Sequence, residues 1–295
     1  MVAAPQLRRV AANGLDLACF EWRAELRGQG PTVLLVHATG FHARVWDPVV
    51  ALLPNHHVLA LELRGHGRSE ARDFNGWEDF GLDLAGAATA LGLHGAIGVG
   101  HSMGAHAMVQ AAAFEPEAFA RLVLVDPVIR TPAEYHLPRP DTLHPSAGRK
   151  NRFESAQAMF ERFNGRPPYA VFTPEALRAY CDHGLVPADD GQGWQLACAP
   201  AFEAKVYTIG RRNRAVFAAV RALQIPVDVV RAREQDPTIL PWDPLGSPTW
   251  PGLAQEFHHG SDLQLNDKTH MLPMEDPPLT AGLIQRAIDA VMASA

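Results

Sequence analysis

Residues 98–106 read G-V-G-H-S-M-G-A-H, and they join the apolar run G-A-I-G-V-G (95–100) to a stretch, S-M-G-A-H-A-M-V-Q-A-A-A-F (102–114), with helical character. These glycines admit two readings. A phosphate cradle needs G-x-G-x-x-G at a strand-turn-helix junction, where the third glycine lets the helix pack close on the strand. Gly98 and Gly100 fit, but the third position is Met103, and no Gly-Lys-Ser/Thr follows. A presented nucleophile needs G-x-S-x-G at the same junction, and Gly100-His101-Ser102-Met103-Gly104 supplies it. Such a serine sits on a strained turn above the sheet edge, and side chains two residues to either side would strike neighbouring backbone. Glycines at 100 and 104 remove that collision, so the serine reading is kept.

The same strand-turn-helix unit recurs on both sides of this stretch. T-V-L-L-V-H-A (32–38) leads through a turn at Gly40 into A-R-V-W-D-P-V-V-A-L-L (43–53). H-V-L-A-L-E-L (57–63) leads through a polar loop into E-D-F-G-L-D-L-A-G-A-A-T-A-L-G-L (78–93). Unbroken apolar strands alternating with helices predict a parallel sheet covered on both faces. Ahead of them, L-R-R-V-A-A and L-D-L-A-C-F-E-W flank Asn13-Gly14, the pattern of an antiparallel hairpin. After the strand A-R-L-V-L-V-D-P (120–127) the alternation stops, and residues 130–220 carry many prolines and short helix-like pieces. This interval is expected to be an inserted helical cap. I-P-V-D-V-V-R-A (225–232), D-L-Q-L-N-D (262–267) and the helix P-P-L-T-A-G-L-I-Q-R-A-I-D-A-V-M (277–292) then complete the sheet domain, giving a core of 1–129 and 221–295.

With 295 residues the chain can bury a large core. Its net charge of -6 offers no basic stripe, so nucleic acid is not an expected partner. Cys19, Cys181 and Cys198 are odd in number and widely spaced, which fits a reducing compartment. The N-terminal M-V-A-A-P-Q-L-R-R-V lacks an apolar signal core, and no membrane-spanning run follows. A cytoplasmic chain without a membrane partner is expected, and homo-oligomerisation stays open. Among the 14 histidines, His56-His57 and His258-His259 are adjacent pairs and none falls at ligand spacing, so no metal and no cofactor is expected.

Four motifs in order resemble those of the α/β-hydrolase superfamily: V-L-L-V-H-A-T-G-F (33–41), E-L-R-G-H-G-R-S (62–69), the serine turn, and T-H-M-L-P-M-E-D-P (269–277). The resemblance covers nearly the whole chain outside the cap, with Ala38 replacing a usual glycine. It implies a mostly parallel, doubly wound α/β sheet and a serine hydrolase. Serine is a weak nucleophile and needs an adjacent base, for which His270 is the candidate. The resemblance assigns the oxyanion donors to the backbone N–H groups of Met103 and Thr39. A third, acidic member is expected after the strand that follows the cap, where the chain reads Ala232-Arg233-Glu234-Gln235-Asp236 and the aligned position is the uncharged Gln235. Either Asp236 or Glu234 serves, or the acid comes from the end of the strand before the cap, at Asp126, which is the first choice. All three keep the order serine, acid, histidine.

His37 is expected to order the oxyanion loop. His42 and His101 either line the pocket or are satisfied structurally, while His106, one turn along the helix, is expected to pack. Met159, Phe160, Phe163, Tyr169, Phe172, Tyr180 and Trp194 are expected to form mostly cap core, with a minority facing the cleft. The expected activity is hydrolysis of a carboxylic ester or lactone of an apolar small molecule through an acyl-serine. The alternatives are a carbon–carbon hydrolase of a β-diketone-like compound and a non-catalytic small-molecule receptor.

Overall fold

The computed structural model describes residues 4–137, 143–210, 213–239 and 243–294. The chain opens with the expected hairpin, β1 (Gln6–Ala12) and β2 (Leu15–Trp22). Asn13 and Gly14 take φ of 48° and 73°, the pair of positive values that a tight two-residue hairpin requires. There follow β3 (Val33–Val36), α1 (Asp47–Val50), β4 (Val58–Leu61), α2 (Glu78–Ala90), β5 (Ala96–His101), α3 (Met103–Phe114) and β6 (Phe119–Val125). After the intervening segment come α7 (Val216–Ala222), β10 (Val227–Arg231), β11 (Gly260–Gln264), α8 (Leu272–Glu275) and α9 (Pro277–Met292). The strand order is β1-β2-β4-β3-β5-β6-β10-β11. Only β2 runs against its neighbours, so the sheet is mostly parallel, as the alternation predicts.

Strand alternation splits the core in two. Leu34, Val36, Leu59 and Leu61 point into a cluster with α2, α3 and α7, while Val33, Leu35, Val58 and Ala60 point into one with α1 and α9. Both faces are covered, which is why these strands read as unbroken apolar runs rather than alternating ones. Gly98 belongs to this packing and not to a ligand. A Cβ there would lie 2.7 Å from both Leu122 Cδ2 and Met108 Sδ, so its absence lets α3 settle onto β5.

The segment between β6 and α7 contains α4 (Ala156–Phe163), α5 (Pro174–His183) and α6 (Pro200–Ile209). It also contains a small antiparallel sheet, β7 (Arg152–Phe153), β8 (Leu185–Pro187) and β9 (Trp194–Leu196), in the order β7-β9-β8. Pattern reading missed these strands because each is only two or three residues long, too short for a period-2 signal. Trp194 therefore lies on a strand, and at 42% exposure it is part of neither core nor cleft. Met159, Phe172 and Tyr180 are buried, and α6 reaches the main sheet's loops through Phe202, whose ring lies 5.9 Å from His66 and 5.1 Å from Phe74.

Candidate active site

Register brings the first two site residues together. In the parallel pair β5 and β6, His101 lies opposite Val125, so Ser102 and Asp126 emerge side by side at the C-terminal edge of the sheet. Ser102 N–H donates to Val125 O at 3.0 Å, and Asp126 N–H donates to Val230 O at 2.7 Å. Ser102 takes φ 58° and ψ -117°, a region that costs a non-glycine residue about 1–3 kcal/mol. The flanking glycines explain how the turn closes. A Cβ on Gly100 would lie 2.4 Å from Ala105 Cα, and one on Gly104 would lie 2.5 Å from the carbonyl oxygens of both Val36 and His37.

His270, on the loop between β11 and α8, is seated by two contacts. Its N–H donates to Leu245 O at 2.8 Å, and His101 Nε2 donates to its carbonyl oxygen at 2.7 Å. Its ring then bridges the other two residues, with Nδ1 2.5 Å from Asp126 Oδ2 and Nε2 3.0 Å from Ser102 Oγ. Asp126 is thus the acid that meets the histidine. Asp236 is half-buried and turns its carboxylate onto the N–H and hydroxyl of Thr238, and Glu234 stays exposed in the same polar turn.

The other carboxylate oxygen of Asp126 was not foreseen to have partners. Oδ1 accepts from Ser247 Oγ at 2.5 Å, Ala232 N–H at 3.1 Å and Thr249 Oγ1 at 3.1 Å. Burial pushes the carboxyl's pKa up, but the bond and charge of His270, the Ser247 hydroxyl and the Ala232 N–H outweigh it and hold it below the ordinary aspartate value. Gln235, at the position expected to hold an acid, pins this loop instead. Its amide donates to Gly246 O at 2.7 Å and Ser247 O at 3.1 Å, and its oxygen accepts from Asp243 N–H at 3.2 Å.

Thr39 and Met103 are linked by a Thr39 Oγ1 to Met103 Sδ contact of 3.5 Å, and among the described residues neither backbone N–H has a hydrogen-bond acceptor. Met103 opens α3, where the helix dipole adds positive potential. His37 ties the loop down, donating from Nδ1 to Ala38 O at 2.8 Å and accepting Leu63 N–H on Nε2 at 3.1 Å. His101 is spent on the His270 carbonyl, His42 on Tyr180 O at 3.0 Å, and His106 packs between Val128 O and the Asn213 amide. Burial holds His42 and His101 down to about 3, so both rings are neutral. No group of three or more His, Cys, Asp or Glu side chains among the described residues is placed to hold a metal ion, and all three cysteines are buried thiols.

A model of the alpha/beta hydrolase family matches residues 33–283. The chain belongs to the α/β hydrolase family. Its relatives include a 2-(acetamidomethylene)succinate hydrolase of Mesorhizobium japonicum, 32% identical over 60% of this chain and 63% of that one. Another is the lipase LipV of Mycobacterium tuberculosis, 30% identical over 57% of this chain and 63% of that one. The match thus spans less than two thirds of the length of either relative. The crystal structure of an E-2-(acetamidomethylene)succinate hydrolase superposes with a TM-score of 0.71 at 23% identity, covering 97% of this chain and 99% of that chain, a likeness of fold. This α/β hydrolase contains no helix among its described residues long and apolar enough to cross a membrane.

Proposed function

We propose that this chain is a serine hydrolase that cleaves a carboxylic ester or lactone through an acyl-enzyme. The observation that carries the reading is the unbroken chain Ser102 Oγ, His270 Nε2, His270 Nδ1, Asp126 Oδ2, with two acceptor-free N–H groups beside the serine. Ser102 Oγ attacks the carbonyl carbon while His270 Nε2 takes its proton. The oxygen of the tetrahedral intermediate receives the N–H groups of Thr39 and Met103, and each such donor typically lowers the barrier by about 3–4 kcal/mol. Asp126 fixes the ring with Nδ1 protonated and stabilises the imidazolium. Collapse of the intermediate breaks the bond to the leaving alkoxide, which takes the proton from Nε2. Water, deprotonated by the same nitrogen, then attacks the acyl-serine and releases the acid.

In this reading residues 130–220 act as the cap, and the aromatic group formed by Phe41, Phe172 and Tyr180 is the wall that receives an apolar substrate body. Phe41 is central to it, with ring centroids 6.2 Å from Phe172 and 5.2 Å from Tyr180. Ser102 and His270 are only 6% and 7% exposed, so the reacting pair is largely shielded from solvent. The test is turnover of p-nitrophenyl esters of increasing acyl length by the wild type, Ser102→Ala and Asp126→Asn. Ser102→Ala should lower kcat by about six orders of magnitude and Asp126→Asn by about four. A Ser102→Ala protein that folds and retains wild-type turnover defeats the acyl-serine mechanism.

A further inference from the structure

The acyl-transfer machinery leaves one built cluster unused. Arg149 follows the short turn Pro145–Gly148, and its guanidinium is drawn into the inserted segment. Nη1 donates to Glu203 Oε2 at 2.7 Å, and Nη2 donates to the hydroxyl oxygens of Tyr169 and Tyr180 at 2.9 and 3.0 Å. So held, it forms one wall of a small space whose other walls include Gly40, Phe41, His42 and Cys198. Gly40 is the residue after Thr39, and a Cβ on it would lie 2.8 Å from Glu203 Oε1. The cluster therefore abuts the loop that carries the proposed oxyanion donor.

Donors outnumber acceptors here. A guanidinium has five N–H groups, and three of Arg149's are engaged. Because each tyrosine oxygen accepts from Arg149, each keeps its own O–H to donate, and the 3.4 Å contact between the two hydroxyls uses one at most. Burial pushes the Tyr169 hydroxyl well above its ordinary value, so it stays protonated. Among the described residues Glu203 is the one carboxylate bonded to this group. His42 Nδ1 on the same wall is an unpartnered acceptor, because its Nε2–H is committed to Tyr180 O, and it takes no part in holding an anion. A hydrocarbon group filling this space would strand these polar atoms. The space as it stands holds about one water molecule, and a carboxylate that opens it matches the planar fork and the spare hydroxyls together.

We infer that Arg149, with the hydroxyls of Tyr169 and Tyr180, binds a carboxylate carried by the substrate close to the scissile carbonyl. The hydrolase then acts on a monoanionic ester or lactone, apolar along the aromatic wall and charged at this end. The inference rests on the acyl-transfer reading above and deepens it. Glu203 positions the guanidinium and, as a second carboxylate, weakens the anion's hold.

Opposite signs at the two residues separate this role from simple packing. The test compares kcat/KM for p-nitrophenyl hemisuccinate, hemiglutarate and hemiadipate with that for the neutral p-nitrophenyl valerate. Wild type should prefer at least one anionic ester. Arg149→Gln should lower that preference about tenfold to a hundredfold, the range for a hydrogen bond to a charged group, and Glu203→Gln should raise it. An anionic-to-neutral ratio unchanged in Arg149→Gln overturns the inference. If wild type hydrolyses none of these esters, the acyl-transfer reading has failed instead. Calorimetric titration of Ser102→Ala with succinate, glutarate and adipate then decides. Binding of at least one that weakens tenfold or more when Arg149→Gln is added supports the carboxylate site, and no binding, or equal affinities, overturns it.

Discussion

Ser247 shows how a residue far from the reacting atoms sets the chemistry at them. Its hydroxyl donates to Asp126 Oδ1, the oxygen that His270 does not use, and it reaches Asp126 across 121 residues of sequence. Removing it takes away one of the bonds that hold the Asp126 carboxyl below its ordinary value against the opposing effect of burial. Ser247→Ala should therefore cost about tenfold in kcat/KM, the lower end for a hydrogen bond to a charged group. The sign in pH follows from the same bond. With a donor lost, the Asp126 carboxylate holds the His270 Nδ1 proton more strongly and favours the imidazolium, in which Nε2 cannot act as base, so the acid limb of the pH–rate profile moves to higher pH. Ser247→Thr keeps a hydroxyl and should restore both the rate and the limb. An unmoved acid limb in Ser247→Ala would show that this bond does no more than pack the loop.

At the scale of elements, the serine turn is a closing of β5 onto α3 that tolerates no extra atom on one side. Gly104→Ala places a Cβ 2.5 Å from the Val36 and His37 carbonyl oxygens, which are backbone and cannot rotate away. Overpacking of this kind costs about 1–3 kcal/mol. Because the atoms displaced lead directly to Thr39, activity should fall as well, and chemical denaturation with kinetics on the same preparation checks both. This turn, and the alternation around it, were legible in the sequence because their physics is local: period, glycine placement and hairpin chemistry all lie within a few residues. Asp126 was legible only as one of three candidates. What selects it is the pairing of His101 with Val125 and the loop from 243 to 249 that Gln235 pins, contacts that no local pattern records. The Arg149 cluster was invisible for the same reason. It draws on Arg149, Tyr169, Tyr180 and Glu203, which come from separate short pieces of the inserted segment.

Over the whole molecule, the buried histidines tie stability to pH. His37, His42, His66, His101 and His106 are all nearly or wholly buried, and burial lowers the pKa of each, to about 3 for His42 and His101 and about 4 for His66 and His106. The unfolded chain takes up protons at these sites near the ordinary value of 6.5, while the folded chain does not. Below 6.5 the unfolded state thus binds more protons, so stability falls as pH falls. At pH 5 each of His42, His66, His101 and His106 costs about 2 kcal/mol relative to pH 8, and the four together reach about 8 kcal/mol, comparable to a typical domain's total stability; His37 acts in the same direction. Glu62 runs the other way. Burial holds its pKa up at about 7, so the folded state gains a proton as pH drops through that value, which offsets about 2–3 kcal/mol. The balance still predicts a molecule that is firm at pH 8 and loses several kcal/mol by pH 5. Urea midpoints measured from pH 8 to pH 5 test this. His106→Gln can keep a donor toward Val128 O and an acceptor for the Asn213 amide, but it cannot titrate. It should reduce the slope by about one proton, or about 1.4 kcal/mol per pH unit, between 6.5 and 5. A midpoint that stays constant from pH 8 to pH 5 would mean that these rings accept protons in the folded state. The neutral donor and acceptor roles read for His37 and His101 around the serine would then have to be abandoned.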